Sequence, residues 1–242
     1  MCTVTFVPVK DKFYLTSNRD EKCSRAQALP PDTYHMHNGI LVYPKDADAG
    51  GSWIAMHENG TAAVLLNGAF VKHTPLPPYK KSRGIIFLQI IAAASPVNYF
   101  QKINLSGIEP FTLILFNNSQ LWECRWDALK KYSSQLKNYR PYIWSSVTLY
   151  TEDVVKKREA WFASFLNKTP RLMQQDILSF HQFTGDGDSH NDLSMNRDGQ
   201  MLTVSITSIA VNEGGAVMKY TDLKDRQQYS TALNFTQKFT EA

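Results

Sequence analysis

Residues 53–66 constrain the fold of this chain more than any other stretch. Trp53-Ile54-Ala55-Met56-His57 and Thr61-Ala62-Ala63-Val64-Leu65-Leu66 are apolar runs of strand length, separated by Glu58-Asn59-Gly60. Asn-Gly suits the positive backbone angles of a tight hairpin turn, so the runs pair antiparallel. Gly50-Gly51-Ser52 turns the chain into the first run, and Asn67-Gly68 leaves the second, placing Asn67 at a strand end.

Hairpins recur at both ends of the chain. Residues 3–9 alternate around Val4, Phe6 and Pro8, and residues 13–16 form a second strand across the Lys10-Asp11-Lys12 loop. Asn18-Arg19-Asp20-Glu21 then ends that strand with four polar side chains. Residues 111–116 and 121–126 flank Asn117-Asn118-Ser119, and residues 201–211 and 216–220 flank Asn212-Glu213-Gly214-Gly215. Residues 142–150 read as strand and loop.

Helices occupy the middle. Residues 83–94 carry Ile85, Ile86, Leu88, Ile90 and Ile91 and stop at Ser95-Pro96, and residues 97–103 form a shorter helix. Residues 153–166 are amphipathic, with Val154, Val155, Trp161, Phe162 and Phe165 as the apolar set, and residues 170–180 add another helix. Pro30-Pro31 bars helix over residues 26–31, and residues 75–78 are a loop. The pattern predicts an α+β layered fold with largely antiparallel sheets, as one domain over residues 1–242 without internal repeats.

With 242 residues, 43% of them hydrophobic, the chain has enough apolar mass for one sizeable core. The net charge of +4 includes a short cluster, Lys80, Lys81 and Arg83, and a looser one, Lys130, Lys131, Lys137 and Arg140. A nucleic-acid binder shows a denser basic stripe, so both read as solvated faces, with an anionic substrate group left open. No apolar run reaches transmembrane length, and the N-terminus lacks the basic-then-apolar pattern of a signal peptide, so a cytoplasmic location is expected. Cys2, Cys23 and Cys124 contain no CxxC spacing and argue against a disulfide framework.

Four constellations bear chemistry-capable groups. Cys2, if Met1 is removed, carries a thiol and a free α-amine, a nucleophile and base in one residue. It equally suits a small apolar residue opening a first strand. The hairpin of strands one and two returns Asn18-Arg19-Asp20 near residue 2. An arginine there favours the thiolate, though Arg19 and Asp20 also suit a structural ion pair. Asn67 offers a side-chain amide and the following Gly68 N–H to an oxyanion, or serves only as turn chemistry. Residues 185–192 look like a metal loop, but His190-Asn191 breaks the calcium-loop pattern, leaving a polar surface loop. His35 and His37, near Cys23, lack a visible fourth ligand for zinc. No metal or other cofactor is therefore expected.

Met1-Cys2-Thr3, Asn18-Arg19-Asp20-Glu21 with Arg25, Gly50-Gly51-Ser52-Trp53-Ile54 and the strand ending in Asn67 together resemble the NRDE family, also called the transport and Golgi organisation protein 2 family. This resemblance implies a four-layer αββα sandwich like that of N-terminal nucleophile hydrolases. It maps Cys2 to the nucleophile, Arg19 and Asp20 to a supporting pair, and Asn67 to an oxyanion donor. Asn18, Trp53, Gly68, Ser145, Ser146 and Arg197 join them as substrate-binding candidates. Where relatives read Ser-Arg-Pro the chain has Ser24-Arg25-Ala26, and where Ser-Asn is expected it has Ser145-Ser146. Arg197, before Thr203-Val204-Ser205, takes the place of a C-terminal arginine. The implied reaction is hydrolysis or transfer of an acyl group on a small-molecule amide. The alternative is a carrier of haem or acyl-coenzyme A, with Trp53 and Phe70 lining a cleft and His35, His37 or Cys23 touching iron. A homo-oligomer is compatible with either, as is a structural domain without chemistry.

Overall fold

A computed structural model describes residues 3–236; Cys2, the candidate nucleophile, lies outside the described residues. The elements run β1 (Thr3–Val9), β2 (Lys12–Lys22), β3 (Leu29–Met36), β4 (Gly39–Lys45), β5 (Ile54–His57), β6 (Ala62–Asn67), α1 (Arg83–Ile91), α2 (Pro96–Lys102), β7 (Phe111–Asn117), β8 (Gln120–Trp126), β9 (Lys131–Leu136) and β10 (Tyr142–Ser145). They continue with α3 (Glu152–Lys168), α4 (Gln174–Phe183), β11 (Asn196–Arg197), β12 (Met201–Asn212), β13 (Gly215–Asp222) and β14 (Gln228–Asn234).

Two antiparallel sheets result. Sheet A runs β10-β1-β2-β12-β13-β14, with β11 on β12, and sheet B runs β3-β4-β5-β6-β7-β8-β9. Alternation along the strands sets the layers. Phe6, Phe13, Leu15, Ile209 and Met218 of sheet A meet Val42, Ile54, Val64, Ile114 and Phe116 of sheet B. Phe13 and Phe116 lie 4.2 Å apart by ring centroids. The opposite parity of sheet B, including Ala63, Leu65, Leu113 and Leu115, packs under Ile86, Phe87, Ile90 and Phe100 of α1 and α2. The opposite face of sheet A, through Val7 and Tyr14, packs under Phe162, Ile177 and Phe180 of α3 and α4. The order is helix, sheet, sheet, helix. It explains why residues 61–66 are apolar at both parities: β6 is covered on both faces. Each large apolar side chain so enclosed contributes about 1.5–3 kcal/mol.

Three differences from the sequence reading are informative. Asn18-Arg19-Asp20-Glu21 does not end β2; the strand continues to Lys22, paired with Met201 of β12, because neighbouring elements satisfy its polar groups. Pro30 and Pro31 lie inside β3, where the strand is at a sheet edge and its register slips between Leu29 and Asp32, so no central ladder bond is lost. β9 is a polar edge strand without apolar alternation, paired among the described residues with β8 alone. Among the described residues no helix is long and apolar enough to cross a membrane.

Candidate active site

Strand alternation sends Arg19 one way and Asn18 and Asp20 the other. Arg19 is 2% exposed and enters the space between the sheets, where its Nη2 donates to Asp46 Oδ2 at 2.6 Å. Its guanidinium lies over the Trp53 ring, 4.7 Å from the centroid. Asp46 also accepts from Arg25 through both oxygens, at 3.0 Å each, and from the Ala49 N–H at 2.8 Å. Burial pushes the Asp46 carboxyl upward, but the Arg25 and Ala49 hydrogen bonds and the two guanidinium charges outweigh it and hold it below its ordinary value. The alternative of a structural ion pair between Arg19 and Asp20 gives way to Arg19–Asp46, with Glu21 at 3.8 Å as a weaker neighbour.

A cleft of about 120 Å³ opens beside this pair, lined by Arg19, Arg25, Gly51, Trp53, Asn67 and Gly84 among others. Gly51 and Gly84 allow α1 to dock close: a Cβ at Gly51 would sit 2.5 Å from the Gly84 carbonyl carbon. Asn67 ends β6 with no protein partner for its side-chain amide among the described residues, while its carbonyl accepts from Ser146 Oγ at 2.8 Å. The Trp53 indole N–H also lacks a partner among the described residues.

The other candidates divide between placement and support. The Gly68 N–H donates to the Pro110 carbonyl at 3.0 Å, so it is engaged rather than available as an oxyanion donor. Ser146 spends its hydroxyl proton on Asn67 and takes a hydrogen bond from Thr148, so it ties β10 to β6. Ser145 stands opposite Thr3 and shares a second cavity, about 200 Å³, with Asn67. Arg197 does not line the first cleft; it donates to the His190 and Leu149 carbonyls at 3.0 Å each. Phe70 is half exposed and packs edge-on against Tyr132, away from Trp53. His35, His37 and Cys23 are all exposed, and no group of three metal-ligating side chains occurs among the described residues.

The helix-facing side of β1 and β2 carries a buried polar network that the sequence reading missed. Asp20 accepts from Tyr150 Oη and Thr203 Oγ1, both at 2.6 Å. Asn18 donates through Nδ2 to the carbonyls of His181 and Leu193, leaving its Oδ1 to accept from His181 Nδ1 at 2.6 Å. His181 is thus the neutral Nδ1–H form, and its Nε2 accepts from Thr5 Oγ1 at 2.8 Å. Full burial and the nearby Arg158 charge push His181 down to about 3. Arg158, 0% exposed, donates to Thr3 Oγ1 and to the Asn191 and Asp192 carbonyls, and stacks 3.6 Å from the Tyr150 centroid. The 185–192 loop therefore supplies carbonyls to an arginine. The signal existed: Arg158 lies on the apolar stripe of α3, four residues after Val154 and four before Phe162.

Known structures share this architecture. A cysteine-to-alanine mutant of conjugated bile acid hydrolase from Clostridium perfringens superposes with a TM-score of 0.57 at 11% identity, covering 99% of this chain and 98% of that one. An arginine-to-leucine variant of the same enzyme gives 0.58 at 11% identity, covering 100% and 99%. The Caenorhabditis elegans ortholog of N-acylethanolamine-hydrolyzing acid amidase gives 0.58 at 10% identity, covering 86% and 92%. At these identities the likeness shows the fold, that of the Ntn-hydrolases. No curated protein sequence matches the chain. The family model for Transport and Golgi organisation 2 matches residues 1–234, and the chain belongs to that family.

Proposed function

We propose that the protein hydrolyses or transfers acyl groups on small-molecule amides, with Cys2 as the nucleophile once Met1 is removed. The observation that carries this reading is the convergence of Arg19 and Asn67 on one cleft at the end of the sheets where β1 begins. Thr3, the first described residue, stands between Asn18 and Ser145, and Ser146 ties that edge to Asn67. Cys2 directly precedes Thr3 in the sequence. The acid amidase and bile acid hydrolase with this fold add support.

In the proposed reaction the Cys2 thiol gives its proton to its own α-amine and Sγ bonds to the acyl carbon. The Asn67 amide, without a protein partner among the described residues, donates to the oxyanion; such donors are worth about 10²–10³ in rate. The C–N bond then breaks, the leaving nitrogen takes the proton, and water or a second amine releases the acyl group from the thioester. Arg19 faces the cleft as a fixed positive charge, oriented by Asp46. Asp20 acts as a positioning residue from the opposite face of β2.

Intact-mass measurement tests the premise: the purified protein should lack Met1. A fatty acyl amide with a fluorogenic leaving group should then be cleaved by the natural chain and not by Cys2→Ala. Equal turnover by both would end this reading.

A further inference from the structure

The cleft rim continues into a surface of unusual composition. Residues 68–82 leave β6 after Asn67 and return to α1, and the ends of β8 and β9 meet them where Arg125 donates to the Ala69 carbonyl and Tyr132 meets Phe70. At this end of sheet B, Val71 is 73% exposed, Leu76 77% and Leu129 85%, with Phe70 at 50%. These side chains are presented on a fixed frame. The Phe70 ring lies 5.0 Å from Tyr132 and takes the Arg125 guanidinium at 4.9 Å. The loop is pinned by the Lys80 N–H to the Gly107 carbonyl at 3.0 Å and by the Leu76 N–H to Tyr79 Oη at 2.7 Å.

Among the described residues, the lysines around this apolar tip outnumber its one carboxylate without a cationic partner, Asp127. Lys72, Lys80, Lys81 and Lys130 are exposed, and none has a carboxylate within 4.0 Å among the described residues. Residues 68–83 contain no Asp or Glu. The nearby carboxylates are engaged: Glu109 by Arg83 at 3.1 Å, Glu123 by Arg125 at 3.0 Å, and Asp127 by two backbone N–H groups and Tyr132 Oη.

We propose that this end of sheet B docks onto an anionic lipid surface. Apolar tips on two separate loops suit insertion into a fluid layer rather than a shaped protein groove, and lysine stems reach outward to place their charges among headgroups. Each surface lysine adds attraction to an anionic leaflet. Docking would hold the Ser82–Gly84 rim of the cleft beside the bilayer. The proposal does not depend on acyl chemistry at Cys2, because it rests on the loop surface alone.

Co-sedimentation with sucrose-loaded vesicles tests it. The full chain should bind phosphatidylcholine vesicles containing phosphatidylserine, bind pure phosphatidylcholine weakly, and dissociate as salt is raised. Val71→Ser with Leu76→Ser, and separately Lys80→Glu with Lys81→Glu, should each lower partitioning on the order of 10-fold or more while leaving the melting curve unchanged. Lys156→Glu with Lys168→Glu, the same charge change on α3, should leave binding near the natural level. Absence of binding to anionic vesicles would overturn the proposal and turn attention to an acidic protein partner. An equal loss in the α3 pair would overturn it as a net-charge effect.

Discussion

Arg19 and Asp20 are consecutive in β2 yet serve different layers. Arg19 donates to Asp46 between the two sheets, while Asp20 accepts from Tyr150 and Thr203 on the face beneath the helices. The two halves of the motif can therefore be perturbed independently, one through Asp46 and the other through the network around Arg158 and His181.

Asp46→Asn keeps the side-chain shape but leaves the buried Arg19 and the half-buried Arg25 without their shared anion. Urea unfolding near neutral pH should show a loss of about 3 kcal/mol. The folded Asp46 lies below its ordinary value of 3.8, so its contribution is present above that value and is lost as pH falls below it. The natural protein should therefore lose more stability than the Asn variant in that acid range. Parallel acid profiles would contradict the assignment.

His181 gives a pH dependence of its own. Its folded value of about 3 lies below the ordinary 6.5, so the unfolded chain binds a proton that the native state refuses. Stability should fall as pH drops from 6.5 toward 3, with a slope of up to ~1.4 kcal/mol per pH unit from this group. In His181→Gln that part of the slope should vanish. An imidazole that titrates near its ordinary value by NMR would refute the burial argument.

Arg158 meets three protein oxygens and the Tyr150 ring at once. A lysine has neither the planar fork nor the stacking face. Arg158→Ala leaves a cavity and three oxygens without their charged donor, and should cost about 2–5 kcal/mol in chemical denaturation. Arg158→Lys should recover less than half of that loss; full recovery would mean that charge alone is at work.

Gly51→Ala tests the close approach of α1. The added Cβ would meet the Gly84 backbone at 2.5 Å, which no side-chain rotation relieves. The cost should be about 1–3 kcal/mol, as for other overpacked sites. Because Gly51 and Gly84 both line the cleft, affinity for an acyl amide should weaken as well if the proposed chemistry takes place there. A variant of unchanged melting temperature would show that the helix can slide outward without strain.

Asn67→Leu should leave stability nearly unchanged, because the fold uses the Asn67 backbone carbonyl rather than its side chain. If the amide serves the oxyanion, kcat on an acyl amide should drop about 10²–10³-fold with KM little altered. A kcat within a few-fold of the natural value would remove Asn67 from the chemistry.

What could be read locally was read well. The hairpin over residues 53–66, the paired strands around Asn117-Asn118-Ser119 and the amphipathic α3 all carry their period in the residues themselves. The edge strands were less legible. β3 holds two prolines and β9 is mostly polar, because a strand paired on one side does not need apolar alternation. The family blocks also brought Arg19, Trp53 and Asn67 forward, and all three line one cleft.

The sequence by itself determined the local periods, the turn positions and the family, because these depend on residues close together in the chain. Only the tertiary structure decided which groups meet. Arg19 finds Asp46 across 27 positions because the two sheets stack, and His181 finds Asn18 across 163 because α4 folds back over sheet A. Spacing names the residues in an Asn-Arg-Asp-Glu strand. The faces to which they turn, and the partners waiting there, are set by sheet register and the layers packed against it.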